Sequence, residues 1–146
     1  MWTYPLLHIV TGPPGSGKTT FATSLSKEKV KEGDSTNRIY LPIYDHDLGN
    51  KRDFITVRPQ VEAVLCAAAP SARNKDYWIQ HAKSAGYIPK LYVMWIPRME
   101  AYLRMRKRSG LSKTQQNDLQ SGVELWYRTY SRHPKEIRIE DGRPID

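Results

Sequence analysis

Cysteine is almost absent. Cys66 is the only one in 146 residues, so no internal disulfide can staple this chain. It lies in the apolar segment 61–67 and reads as an unreactive core thiol. No apolar run approaches the roughly 18 residues that span a bilayer, which argues against a membrane-crossing helix. The opening Met1-Trp2-Thr3-Tyr4-Pro5 has neither the basic start nor the apolar run of a signal peptide. Acidic residues are also scarce, 15 against 23 Lys and Arg, leaving a net charge of +8. With 39% hydrophobic residues, nine Gly and ten Pro, the composition is globular and not that of a disordered chain. The length fits one domain over 1–146, and a reducing cytoplasm is the expected compartment.

The positive charge is uneven. Residues 1–73 carry nine basic and seven acidic side chains, whereas residues 74–146 carry fourteen and eight. It is densest from Arg98 to Lys113, where Arg98, Arg104, Arg106, Lys107, Arg108 and Lys113 face only Glu100. Such a patch suits a polyanion, either the phosphates of a nucleotide or a nucleic-acid backbone. A solvated basic surface is the plainer reading.

The most informative residues are Gly12-Pro13-Pro14-Gly15-Ser16-Gly17-Lys18-Thr19-Thr20, which contain G-x-x-x-x-G-K-T. Glycines at this spacing let the backbone curl so that several N–H groups point inward at phosphates. Lys18 is expected on the β- and γ-phosphates and the Thr19 hydroxyl on Mg²⁺. The helix that follows turns its positive end toward the same anion. The context agrees: the apolar run 6–11 precedes the motif, and a helix-compatible stretch from Lys18 to about Lys31 follows it, closed by Gly33. An ordinary Gly/Pro/Ser turn would explain neither the lysine nor the threonine.

Further strands are expected at 38–44, 61–67 and 91–96, with Pro42 placing the first of these at an edge or bulge. Pro70 and Ser71 open a helix to about Ala85, with Ser71 as N-cap and Gly86 as stop. Trp78, Ala82 and Ala85 share one face of it. Pro97 starts another helix running to about Arg108, and a last one spans about Thr114 to Tyr130. Leu119, Val123, Trp126, Tyr127 and Tyr130 form an apolar stripe on it that reads as core. Glu136 to Glu140 alternates like a closing edge strand. Strands alternating with helices predict an α/β fold, a parallel sheet with helices on both faces.

In such a sheet ligands bind beyond the carboxyl ends of the strands. There the second strand ends in Asp45-His46-Asp47, which in extended backbone puts both carboxylates on one side. One would take the proton of an attacking hydroxyl and the other would hold Mg²⁺ through water; which does which stays open. An Asp-rich turn before Gly49-Asn50 is the plainer alternative. Arg104 and Arg108, four apart on one helix face, would clamp the γ-phosphate from a lid over about 104–114 that keeps water out.

The order of these parts, with Trp78-x-x-x-Ala82-x-x-x-Gly86 and Ile96-Pro97 before the arginine-rich lid, resembles the small P-loop kinases of the zeta-toxin and AAA_33-like group. Within it the chain is most similar to the kinase domain of phage polynucleotide kinase. The resemblance implies transfer of the ATP γ-phosphate, with Mg²⁺, to a hydroxyl of nucleic acid: the 5′-hydroxyl end or a hydroxymethylated base, in DNA before RNA. It implies Lys18 and Thr19 as the P-loop pair, Asp45 or Asp47 as general base, and Arg108 as the lid arginine on the γ-phosphate. A phage role in DNA modification, in a host cytoplasm, would follow.

Three departures stand out. The family's arginine three residues after the base is absent; Asn50 or neighbouring turn residues stand there, with Lys51 and Arg52 nearby. Ala67-Ala68-Ala69 replaces the acidic residue after the third strand. The stretch between strands two and three is short. A small nucleoside or nucleotide kinase is the second expectation, and a nucleotide-binding regulatory module the third.

Overall fold

In the computed structural model the described residues are 4–32, 43–45, 62–107, 110 and 112–145. They form β1 (Leu6–Thr11), α1 (Lys18–Glu32), β2 (Ile43–Asp45), β3 (Ala63–Ala67), α2 (Ala72–Ser84), β4 (Ile88–Met94), α3 (Arg98–Arg106), α4 (Lys113–Thr129), β5 (Ile137–Glu140) and β6 (Arg143–Pro144). One sheet runs β2-β3-β1-β4-β5-β6; its first five strands are parallel and β6 is antiparallel.

Alternation along the strands makes two cores. Leu7, Ile9, Ala63, Leu65 and Leu91 point to one face and pack with Trp78, Ile79 and Ala82 of α2. Val10, Val64, Cys66, Tyr92 and Met94 point to the other, where Ala22, Phe21 and Leu25 of α1 cover them. The central strands are therefore apolar on both sides, as parallel strands between two helical layers must be. Each of the fully buried Leu7, Ile9 and Leu65 side chains is worth roughly 1.5–3 kcal/mol of transfer free energy. Cys66 is buried and its sulfur is not in a disulfide.

Helix starts follow the sequence closely. Ser71 caps α2, its hydroxyl accepting from Asn74 N at 3.0 Å. Ser112 caps α4 in a reciprocal capping box with Gln115, a motif worth on the order of 1 kcal/mol. Val123 and Trp126 of the α4 stripe are buried, and Val123 packs with Ile96 and Ala101. Three boundaries differ from expectation. β4 begins at Ile88, because Ile88 to Lys90 pair with Leu6 to His8 in register although they lack an apolar run. The strand expected over 38–44 is described only as Ile43–Asp45, an edge strand as Pro42 suggested; 38–42 and Gly33 lie outside the described residues. β5 is not the closing strand, since the turn at Asp141-Gly142 folds β6 against its outer side.

Candidate functional site

β1 sits mid-sheet between β3 and β4; the chain runs from β1 through α1 to β2 on one side and from β3 through α2 to β4 on the other, so the connections of β1 and β3 part in opposite directions. The carboxyl end of β1 is thus a crevice of the kind where open α/β sheets bind ligands. Gly12 to Gly17 fill it as a tight loop. Ser16 N donates to Pro13 O at 3.2 Å, and Phe21 N donates to Gly17 O at 2.9 Å, the first bond of α1. Two glycines are required by geometry. Gly17 has φ +88°, which residues with a Cβ rarely adopt. A Cβ at Gly12 would lie 2.7 Å from Ser16 Oγ and 2.8 Å from Met94 Cβ.

Lys18, Thr19 and Thr20 are the first residues of α1, so they stand where the helix dipole is positive and the N–H groups have no partner within the helix. The chemistry of the loop fits an anion. Among the described residues Ser16 Oγ is buried without a hydrogen-bond partner, an arrangement that a phosphate oxygen would satisfy. Arg104, reaching over from α3, completes the rim: its Nη1 donates to Gly15 O at 3.4 Å, while Nη2 donates to Glu100 Oε1 at 2.8 Å. On the opposite side α4 closes in, with Gly122 against Pro14; a Cβ at Gly122 would lie 3.4 Å from Pro14 Cγ.

A cavity of about 390 Å³ opens beside the loop. Ser16, Gly17, Thr20 and Phe21 line one wall, Trp95 to Pro97 a second, and Arg104 with the Glu140–Gly142 turn a third. Its volume lies in the range of small-molecule sites. Two of these walls were not anticipated. The Asp-Gly pair at 141–142 is a recognisable hairpin signal, and Asp141 does take φ +51° there. That the turn would come back beside α1 depends on sheet order, which no local pattern carries.

Of the residues singled out in sequence, the structure brings Gly12 to Thr20 and Arg104 together. Asp45 ends β2 opposite Cys66 of β3, so its backbone lies at the same carboxyl edge of the sheet. Asp47 and Arg108 lie outside the described residues. Ala67 ends β3 beside Thr11, and Ala69 turns the chain away with φ +34°. Trp126 Nε1 donates to Ala68 O at 2.7 Å, tying α4 to that turn.

Behind this edge lies a buried charge cluster the sequence did not announce. Lys75 is fully buried; its Nζ donates to Ser131 O at 2.7 Å and to Glu136 Oε1 at 3.0 Å and lies 4.3 Å from the Tyr130 ring centroid. Glu136 also accepts from His133 N and Tyr130 Oη, both at 2.7 Å. Burial pushes the Lys75 ammonium below its ordinary value, against the pull of Glu136. Burial would raise Glu136, but its hydrogen bonds from His133, Tyr130 and Lys75 outweigh that and hold the carboxyl below its ordinary range. Burial, with Glu100 nearby, pushes the Tyr127 phenol up to about 12, so it stays a neutral donor to Ile96 O.

No protein-family model matches the chain, and no curated protein matches it. Solved structures do. One named APE1195 is 20% identical, with a TM-score of 0.67 over 94% of this chain and 86% of its own. A gluconokinase from Sinorhizobium meliloti is 14% identical, with a TM-score of 0.62 over 98% and 86%. A chain of the Pnkp1/Rnl/Hen1 RNA repair complex is 14% identical, with a TM-score of 0.54 over 90% of this chain and 48% of its own. At these identities the likeness is one of fold. Sheet order, glycine cradle and structural neighbours agree: this chain has the fold of the P-loop kinases.

Proposed function

We propose that the protein is an ATP- and Mg²⁺-dependent kinase that transfers the γ-phosphate to a hydroxyl of nucleic acid, at a 5′-hydroxyl end or on a hydroxymethylated base, in DNA before RNA. The observation that carries the donor half is the cradle: a glycine loop at the carboxyl end of β1, Lys18 and Thr19 opening α1, and an orphaned Ser16 hydroxyl. The 390 Å³ cavity beside it supports the same reading, as room for the nucleoside. The acceptor half rests on the sequence resemblance and on the basic excess of residues 74–146.

In this reading the loop N–H groups, Ser16 Oγ and Lys18 hold the triphosphate. Thr19, with Asp45 or Asp47, would hold Mg²⁺, which when bound would neutralise phosphate charge. The other aspartate would accept the proton of the acceptor hydroxyl as its oxygen bonds to the γ-phosphorus and the bond to the β,γ-bridging oxygen breaks, ADP leaving with that oxygen. Arg104 has one guanidinium nitrogen on the loop, and in this reading it would meet the charge that spreads over the transferred group. Arg108 would join it from the lid.

The test is transfer of label from γ-labelled ATP, with Mg²⁺, to 5′-hydroxyl DNA, 5′-hydroxyl RNA, hydroxymethyluracil-containing DNA and free nucleosides. Label on nucleic acid that disappears in Lys18→Ala is expected. Wild-type turnover by both Asp45→Asn and Asp47→Asn, folded and binding ATP, would remove the proposed base. Label on nucleosides alone would move the assignment to a small-acceptor kinase. ATP binding with label on nothing would favour a nucleotide-binding regulatory module.

A further inference from the structure

We infer that a single-stranded nucleic acid leaves the phosphate cradle along a strip formed by Arg73 and Tyr77 of α2 with Arg132 and Lys135 of the segment after α4. This rests on the nucleic-acid reading above and names the surface that would hold the acceptor.

The strip begins at the cradle. Ala67 pairs with Thr11, the residue before Gly12, so the turn at Ala68 starts on the rim of the phosphate loop. From there two segments are zipped together. Trp126 Nε1 donates to Ala68 O at 2.7 Å, Ser131 N to Pro70 O at 3.1 Å, and Ala72 N to Ser131 Oγ at 2.7 Å. Arg73 and Arg132 each stand one residue beyond that last bond, and both are exposed. The hydrogen bonds therefore hold two guanidinium-bearing positions side by side on a fixed base.

Two acids lie near these positions among the described residues. Glu136 is buried and committed to Lys75 and Tyr130. Asp76, one turn from Arg73, turns to His133, with 3.4 Å between Oδ1 and Nε2. Lys135, exposed, follows His133 closely, its N–H donating to His133 Nδ1.

Tyr77 adds the second element. It is one helical turn, about 6 Å along the axis, from Arg73 and on the same face. Its side chain is 54% exposed. Yet the ring is not loose: Trp78 meets it at 5.3 Å and His81 at 4.5 Å, and its hydroxyl is hydrogen-bonded to His81 Nε2 at 2.7 Å. An exposed aromatic ring held rigid beside paired arginines is the arrangement that grips unstacked bases while cations track the phosphates. A duplex, whose bases are already stacked, gains nothing from the ring.

The experiment measures binding of a 3′-fluorescent single-stranded DNA 12-mer to the full chain by anisotropy, across salt, with the phosphorylation rate followed in parallel. Arg73→Gln/Arg132→Gln is expected to weaken binding at least tenfold at low salt. It should also reduce the log–log salt slope by about 1.4, the value for two lost phosphate contacts. Tyr77→Ala should weaken binding about tenfold at every salt concentration, and Tyr77→Phe should restore most of it. Affinity for ATP should not move in any of them, and the arginine double variant should melt like wild type.

Variants that bind and phosphorylate the 12-mer like wild type, while wild type phosphorylates nucleic acid, would overturn the strip and leave the kinase reading standing. A wild-type chain that binds no oligonucleotide and labels only nucleosides would overturn both. Poly-glutamate binding as tightly as DNA, indifferent to Tyr77→Ala, would overturn the strip in favour of an acidic protein surface.

Discussion

Two kinds of ion pair flank the phosphate cradle, and they do opposite work. Lys75–Glu136 is fully buried, at 3.0 Å, with further polar contacts from Ser131, His133, Tyr130 and, at 3.6 Å, Arg138. Arg104–Glu100 and Arg98–Glu124 are both at 2.8 Å but lie in solvent, with side-chain exposures between 43% and 57%. Nearly equal distances hide very different consequences. A buried charge that loses its partner has no water to turn to, whereas exposed partners exchange each other for solvent at little cost. The buried pair therefore fixes where α2 and β5 stand. The exposed pair at Arg104 leaves its guanidinium available to a phosphate.

The largest effect should come from breaking the buried pair. Lys75→Met leaves the buried Glu136 with only the more distant Arg138, 3.6 Å away, as a cation, and should cost roughly 3 kcal/mol in a denaturant titration. Adding Glu136→Gln to that variant should recover a large part of the loss, because the stranded charge goes with it. A double variant as unstable as the single one would mean that packing, and not charge, holds the junction.

The same pair gives the stability a pH signature. The Glu136 carboxyl is held below the usual 4.5 in the folded chain. A group depressed on folding stabilises above its unfolded value and loses that contribution as pH falls through the folded one. Melting temperature should therefore fall as pH drops below 4.5, and Glu136→Gln, less stable at neutral pH, should show a flatter acid limb. Parallel acid limbs in the two chains would place the acid-sensitive carboxylate elsewhere.

How much of this was legible in the sequence depends on the range of the interaction. The cradle is local, set by glycine conformations and the start of one helix within nine residues, and 12–20 reads directly. Ser71 announced its helix for the same reason, since a cap acts over three residues. The alternation of two strand faces was visible as continuous apolar runs. Lys75–Glu136 was not, because its partners are 61 residues apart and each looks like an ordinary surface charge on its own element. The cavity wall at Glu140–Gly142 was hidden likewise, being brought to α1 by the order β1-β4-β5.

Next in size is the exposed pair on the loop. Arg104→Gln should leave stability within about 0.5 kcal/mol of wild type, since a solvent-exposed i,i+4 pair contributes little. If Arg104 meets the transferred phosphoryl group, kcat should nevertheless fall by about 10²-fold, with KM for ATP changed far less. A loss confined to KM would make Arg104 a ground-state nucleotide contact instead.

The smallest effect should come from Arg98, and it is the control that gives the comparison its meaning. Arg98 Nη2 donates to Glu124 Oε1 at 2.8 Å across α3 and α4, with Tyr102 beside both, so on distance alone it matches Arg104–Glu100. Glu124 is held below its ordinary value, first by a hydrogen bond from Tyr102 and then by Arg98; losing the arginine leaves that first donor in place. Arg98 donates to no loop carbonyl among the described contacts, whereas Arg104 reaches Gly15 O. Arg98→Gln should therefore change neither the melting temperature nor the rate of phosphate transfer measurably. If it slowed transfer as much as Arg104→Gln, the basic helix would act through its summed field, and the contact between Arg104 and the phosphate loop would lose its special standing.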